Sequence, residues 1–126
     1  MKQVLLIDAS PLFLGYLKDK LITEQVVVET AVGSKDAYTK LISLLPNLMI
    51  IDVESDLSNV MELLERKRTD PNACKIPVII SGPHIPRAHV ANLIKYGVIK
   101  YFTKPIKFDV FFESIGKIIK TNFTID

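Results

Sequence analysis

The chain has 126 residues, 48% of them hydrophobic and 24% charged, and a formal net charge of +2. These values are typical of one globular domain and exclude a disordered chain, a coiled coil and a strongly basic nucleic-acid-binding domain. A single cysteine, Cys74, excludes an intrachain disulfide and favours a reducing compartment.

Neither a membrane span nor an export signal is predicted. No run of about 18 apolar residues is present. The apolar run after Lys2 ends at Asp8, which is too short for the apolar region of a signal peptide. No motif surrounds Cys74, so we expect a small inert residue there and not a catalytic thiol. The expected location is the cytoplasm, without membrane contact.

Strand and helix patterns alternate five times along the chain. Short apolar runs at residues 4–7, 26–30, 48–51, 78–80 and 98–103 predict five strands. The second run contains a glutamate, which favours a position near a sheet edge. Because a helical pattern follows each strand, the predicted fold is α/β, a (βα)5 doubly wound five-stranded parallel sheet with helices on both faces.

The helical segments carry predictions about their ends and faces. Ser10 is the expected N-cap of the first helix, with Pro11 as its first residue, and Gly33-Ser34 is expected to turn the chain and cap the second. In the third helix, Lys67 is assigned to the polar face with its charged neighbours. The apolar faces are assigned to Leu12, Phe13, Tyr16, Leu17 and Leu21 in the first helix and to Val90, Leu93 and Ile94 in the fourth.

Four strands end in a polar residue: Asp8, Asp52, Ser81 and Lys104. Because parallel strands point the same way, these side chains should meet at one rim of the sheet, where ligands bind in open α/β folds. Each alone has an ordinary explanation as a cap, a turn residue or a solvated lysine. Together they suit phosphoryl transfer, because carboxylates attract a hard cation such as Mg²⁺ and the hydroxyl and ammonium groups can bind phosphoryl oxygens. No glycine-rich phosphate loop is present, so a resident nucleotide is not expected.

Four motifs give the chain a resemblance to the receiver domain of two-component response regulators, over nearly its whole length. They are VLLIDASP at 4–11, PNLMIID at 46–52, PVIISG at 77–82 and YFTKP at 101–105. The resemblance implies a flavodoxin-like fold and a phosphorylation-dependent signalling switch.

The resemblance also implies roles for individual residues. Asp52 would accept a phosphoryl group from a histidine kinase, Ser81 would hydrogen-bond one phosphoryl oxygen and Lys104 would pair with another. Tyr101 would move inward or outward together with Ser81. This movement would shift the surface of the fourth helix, fifth strand and fifth helix between two arrangements. A cis peptide bond between Lys104 and Pro105 is implied as well.

The metal site departs from the family pattern. Receivers usually carry two adjacent acids after the first strand, and here the second place is Ala9. The implied Mg²⁺ ligands are Asp8, largely through water, Asp52, and the backbone carbonyl of Glu54. Since losing a supporting group already costs roughly 10–100-fold in metal affinity, weakened Mg²⁺ binding is expected. One hypothesis is that the Glu54 carboxylate partly replaces the missing acid; the alternative is a solvated loop residue.

The expected organisation is a receiver domain at residues 1–122, followed at 123–126 by a tail or the start of a linker to an output domain. Expected partners are a sensor histidine kinase or phosphotransfer protein, a downstream effector domain or protein, and a second copy through the fourth helix, fifth strand and fifth helix. Nucleic acid is not expected to bind this domain directly. The chain is not expected to be a conventional enzyme, and at most it catalyses phosphorylation and dephosphorylation of its own aspartate.

Other functions remain open at this stage. The main alternative is a phosphorylation-independent pseudo-receiver that acts as a protein-protein interaction module, in which Ala9 reflects lost chemistry. A flavin carrier would need a hydroxyl- and glycine-rich loop after the first strand, and a phosphatase with an aspartyl nucleophile would want an aspartate in place of Glu54. His84 and His89 lack a metal-ligand spacing, so surface or capping roles are expected for them.

Overall fold

The computed structural model describes residues 2–23, 25–54 and 57–120. Five strands in this part of the chain form one parallel sheet in the order β2-β1-β3-β4-β5. The predicted fold class is therefore confirmed, and β2 lies at a sheet edge as its glutamate indicated. The strands are β1 (Lys2–Ile7), β2 (Val26–Ala31), β3 (Leu48–Asp52), β4 (Val78–Gly82) and β5 (Val98–Thr103).

Helices cover both faces of the sheet. Successive residues of a strand point to opposite sides, so the apolar strands present apolar side chains to both helix layers. Val4 and Leu6 of β1 belong to the core cluster that contains the apolar side chains of α1 and α5, whereas Leu5 and Ile7 belong to the cluster with α2, α3 and α4. The helices are α1 (Pro11–Thr23), α2 (Gly33–Leu44), α3 (Ser58–Thr69), α4 (Arg87–Leu93) and α5 (Phe108–Ile119), with short 3₁₀ turns at Ala73–Lys75 and Ile94–Tyr96.

The middle strand β3 is buried along its whole length. It lies between β1 and β4 and is covered by a helix layer on each side, so both faces require apolar side chains. Asp52 is the exception to this composition, and it stands at the strand's carboxyl end.

The two predicted helix starts have different outcomes. The Phe13 N–H donates to Ser10 Oγ at 3.3 Å, so Ser10 caps α1 as predicted. The prediction that Ser34 caps α2 is wrong, because the helix begins at Gly33 and has no side-chain cap bond at its N-cap. The Asp36 carboxylate accepts the N–H of Val32 at 3.1 Å instead.

Three apolar assignments are wrong. Leu12 is 88% exposed and Tyr16 is 51% exposed, because the buried side of α1 is formed by residues at four-residue spacing from Phe13 onward. Ile94 is 68% exposed, since α4 ends at Leu93 and the change to a 3₁₀ turn rotates the next side chain off the helix stripe.

The polar assignment of Lys67 is also wrong, because this side chain has no exposed surface. Its Nζ donates to the carbonyl oxygen of Cys74 at 3.3 Å. The predicted tail at 123–126 lies outside the described residues. No described helix is both long and apolar enough to cross a membrane.

Candidate functional site

Asp52 is the centre of the candidate site. It is the last residue of β3 and lies opposite Ser81 of β4 in the sheet register. Its side chain is only 1% exposed, which for a carboxylate requires polar partners.

Three donors from different parts of the rim satisfy the Asp52 carboxylate. Lys104 Nζ lies 2.6 Å from Oδ1, and the Ser81 hydroxyl donates to the same oxygen at 3.0 Å. The backbone N–H of Ser10 donates to Oδ2 at 3.3 Å. The result is a buried carboxylate with a cation and two neutral donors aimed at it, an arrangement that also suits the oxygens of a phosphoryl group.

Lys104 bridges two loops at this rim. Its ammonium also donates to the Val53 carbonyl at 3.1 Å, and its backbone N–H donates to the Gly82 carbonyl at 2.9 Å. The Lys104-Pro105 peptide bond is cis, as the family resemblance implied. The lysine is therefore held at its backbone and at its charged end.

Tyr101 lies on β5 with its hydroxyl directed at the loop after β4. The hydroxyl donates to the Pro83 carbonyl, and burial raises the pKa of the phenol. A Cβ at Gly82 would lie 2.8 Å from the Tyr101 hydroxyl oxygen, so glycine leaves the space that this arrangement requires.

Asp8 follows β1 at the same rim, but its contact is with another loop. Its Oδ1 accepts the Gly33 N–H at 2.8 Å, and its backbone has a φ of 58°. The structure thus joins Asp52, Ser81 and Lys104 by hydrogen bonds, and it joins Asp8 to the start of α2. Glu54 has an exposed side chain in the loop after β3.

The oxygen donors at the rim can be compared with the needs of Mg²⁺. Among the described residues, no group of three or more acidic, histidine or cysteine side chains could hold a metal ion. Mg²⁺ is commonly bound by one or two carboxylates plus phosphate oxygens, and it keeps several waters. Asp52 and Asp8 each supply a carboxylate at this rim, and Ala9 supplies no side-chain ligand.

A groove of about 440 Å³ opens beside Lys104, between α1 and the segment before α5. Leu12, Tyr16 and Phe108 line its apolar part, with ring centroids of Tyr16 and Phe108 4.5 Å apart. The groove accounts for the exposure of two residues that periodicity assigned to the core.

Sequence reasoning missed three features of this rim: the Ser10 N–H, the space at Gly82 and the groove. The first is a backbone group, for which no side-chain pattern exists. The other two depend on how separate loops pack. Both histidines, His84 and His89, are exposed, in agreement with the expected surface role.

Known proteins resemble this chain in sequence pattern and in fold. Residues 4–116 match the family model of the response regulator receiver domain. A response regulator receiver protein from Pseudomonas putida has 20% identity and a TM-score of 0.78, with 92% of this chain and 96% of that chain covered. A two-component response regulator from Clostridium difficile has 18% identity and a TM-score of 0.80, with coverage of 95% and 97%. A CheY-like receiver domain protein from Methanospirillum hungatei has 21% identity and a TM-score of 0.79, with 95% of this chain and 94% of that chain covered. No curated protein sequence matches the chain.

Proposed function

The chain belongs to the response regulator receiver domain family, and on this premise we propose that it is a signalling switch phosphorylated on Asp52. The donor is a sensor histidine kinase or a phosphotransfer protein, and the proposed location is the cytoplasm. The chain contributes to its own phosphorylation and dephosphorylation and has no other enzymatic role.

One observation carries the proposal: the Asp52 carboxylate is buried, and an ammonium and a hydroxyl group both contact its Oδ1. In the transfer, an Asp52 oxygen forms the new O–P bond while the N–P bond of the phosphohistidine breaks. The departing imidazole takes a proton from solvent. Lys104 and Ser81 are close enough to Asp52 to contact the phosphoryl oxygens as well. Donors at those oxygens stabilise the negative charge of the transition state.

Receiver domains usually bind Mg²⁺ at the phosphorylation site. In this chain Asp52, Asp8 and the Glu54 carbonyl would hold the ion, and the Glu54 carboxylate would compensate in part for Ala9. When bound, Mg²⁺ would supply positive charge that reduces the repulsion of the incoming phosphoryl group by the Asp52 carboxylate.

The proposed output is a change in the surface formed by α4, β5 and α5. If the phosphoryl group on Asp52 draws the Ser81 hydroxyl toward it, the packing around Tyr101 changes, because Ser81 and Gly82 adjoin on β4 and Tyr101 lies against Gly82. An effector domain or protein, or a second copy of the chain, would read this surface.

The test is incubation with a small phosphodonor such as acetyl phosphate, with and without Mg²⁺, followed by intact mass measurement. We expect the addition of one phosphoryl group, at a higher rate with Mg²⁺ than without it. This addition should not occur in Asp52→Asn. A folded protein that gains no phosphoryl group with either treatment would contradict the proposal and favour the pseudo-receiver.

The metal ligands have a separate test. We expect Glu54→Ala to weaken Mg²⁺ binding by about tenfold, and Asp8→Asn to weaken it by a similar factor. Glu62→Ala, an exposed glutamate on α3, is the matched control and should have no effect. Unchanged Mg²⁺ affinity in Glu54→Ala would remove the side chain from the metal site.

A further inference from the structure

Lys67 is a buried charged residue that lies between Asp52 and Ser81 in the sequence but beside the opposite end of the sheet from the rim. It lies in the last turn of α3, and its side chain has no exposed surface. Its Nζ donates to the Cys74 carbonyl of the first 3₁₀ turn at 3.3 Å. Lysine is almost never fully buried without a partner, so this placement needs an explanation.

The Lys67 amino group also lies directly against Gly97. A Cβ at Gly97 would be 2.9 Å from Nζ, and it would lie 3.6 Å from the Ile76 carbonyl oxygen and 3.9 Å from that of Cys74. Gly97 has a φ of 88°, in the left-handed region that favours glycine. The backbone conformation therefore favours glycine here, and a Cβ at this position would displace the Lys67 amino group.

The Gly97 turn determines where β5 begins. The Gly97 N–H donates to Ile94 at 3.0 Å, and the Gly97 carbonyl accepts the Val78 N–H of β4 at 3.0 Å. The register then shifts between the first two pairs, from Val78 with Val98 to Ile79 with Lys100. A bulge therefore lies just after the turn, and the strand beyond it leads to the rim.

A second contact joins α3 to the same turn. The Tyr96 hydroxyl donates to Glu65 Oε1 at 3.1 Å. Glu65 and Lys67 are two residues apart on α3 and contact consecutive residues, Tyr96 and Gly97. The C-terminal part of α3 is thus attached to the turn by the Tyr96–Glu65 hydrogen bond and by the packing of the Lys67 amino group against Gly97. The hydrogen bond of Lys67 itself goes to Cys74 of the first 3₁₀ turn.

The hydrogen bond of Lys67 lacks an opposite charge in the part of the chain that the structure describes. Within residues 2–23, 25–54 and 57–120, no carboxylate forms an ion pair with Lys67. Burial lowers the pKa of its amino group, and the Cys74 thiolate opposes this by raising it. Other charged groups on the elements packed against α3 are Lys75 of the first turn, Lys95 of the second, and Lys35, Asp36 and Lys40 of α2.

We propose that Lys67 is a positioning residue whose buried amino group seats the Gly97 turn on α3 and so sets where strand β5 begins. The same strand carries Tyr101 and precedes Lys104, so the register of β5 links this turn to the rim. The proposal concerns the turn itself and does not depend on phosphorylation of Asp52, so its test avoids that reaction.

The test is amide hydrogen exchange of the full chain, wild type and Lys67→Met, read at Gly97 and Val78. In the wild type we expect both amides to exchange as slowly as Leu6 of the inner strand β1. In the variant we expect them to exchange about tenfold faster relative to Leu6, the factor that corresponds to loss of one hydrogen bond to a charged group. Lys75→Met, an exposed lysine of the first 3₁₀ turn, is the matched control and should leave both amides unchanged.

The pH profile of unfolding separates this role from packing alone. The pKa of Lys67 in the folded chain lies below its ordinary value of 10.5. At a pH between these two pKa values, the unfolded chain binds more protons than the folded chain does. The folding equilibrium constant of the wild type should therefore rise with pH in that window, by about tenfold per unit of pKa lowering, and that of Lys67→Met should not. Fast exchange at Gly97 in the wild type, or unchanged relative exchange in the variant, would overturn the proposal, as would identical pH profiles.

Discussion

Asp52 and Lys67 are both buried charged side chains, but they lie at opposite ends of the sheet and are stabilised differently. Asp52, at the carboxyl end of β3, has a cation at 2.6 Å and two further donors. Lys67, beside the starts of β4 and β5, has a carbonyl at 3.3 Å and a close-packed glycine. The first arrangement surrounds a buried carboxylate with a cation and hydrogen-bond donors at the rim of the sheet. The second arrangement gives the Lys67 amino group a carbonyl oxygen as its hydrogen-bond partner, as expected for a contact with a structural role.

The largest expected effect is from Lys104→Met, which leaves the buried Asp52 carboxylate without its cation. We expect a loss of about 2–3 kcal/mol in the free energy of unfolding, below the usual range for a fully buried pair because Lys104 is one-third exposed. Urea unfolding measures it. Lys117→Met is the control, since its ion pair with Glu113 is exposed and should contribute less than about 0.5 kcal/mol. Equal losses in the two variants would mean that Asp52 does not depend on its cation.

Ser81→Ala should have the next largest effect, because it removes one donor from a carboxylate that cannot reach bulk water. We expect a loss of about 1–2 kcal/mol in the free energy of unfolding at neutral pH. Ser43→Ala, at an exposed serine of α2, should change it little. If Ser81→Ala costs as much in an Asp52→Ala background as it does in the wild type, the hydroxyl acts through something other than the carboxylate.

Tyr101→Phe should cost about 1 kcal/mol, the contribution of its bond to the Pro83 carbonyl. The raised pKa also predicts a pH effect. Above the ordinary value of 10.0, the unfolded phenol loses its proton before the folded one does, so the wild type loses stability as pH rises further. The variant should lack this loss, and urea midpoints near pH 7 and near pH 11 would check both statements.

Lys67→Met should have the smallest effect on overall stability. At neutral pH we expect a change within about 1 kcal/mol of zero, because methionine has a similar length and avoids the cost of burying an unpaired cation. Urea unfolding of the two proteins measures it. A loss as large as that in Lys104→Met would abolish the contrast between the two buried charges.

Much of the fold could be predicted because strands and helices leave different periods in the sequence. The run of apolar residues ending at Asp52 marked a strand buried on both faces, and the strand ends marked the rim. The errors have specific physical causes. Leu12 and Tyr16 have apolar side chains that line a groove, and a pattern of apolar residues does not distinguish a groove from a core.

Lys67 and Ser10 show what sequence patterns do not contain. The burial of Lys67 depends on a carbonyl seven residues later and on a glycine thirty positions later, which come together only in the folded chain. The Ser10 contact with Asp52 uses a backbone N–H, which every residue except proline possesses. The sequence could predict which polar residues lie at the rim. It could not predict that, in the part of the chain that the structure describes, Asp8 accepts a hydrogen bond from Gly33 and has no such bond with the other three.

The most direct measurement for the central claim locates the phosphoryl group. After treatment with acetyl phosphate, borohydride reduces an aspartyl phosphate to homoserine with release of phosphate, and peptide mass spectrometry identifies the altered position. If Asp52 is the phosphorylated residue, homoserine should replace it, at a yield that falls in Lys104→Met and vanishes in Asp52→Asn. Homoserine at another aspartate, or none in a folded protein with Asp52 intact, would contradict this claim.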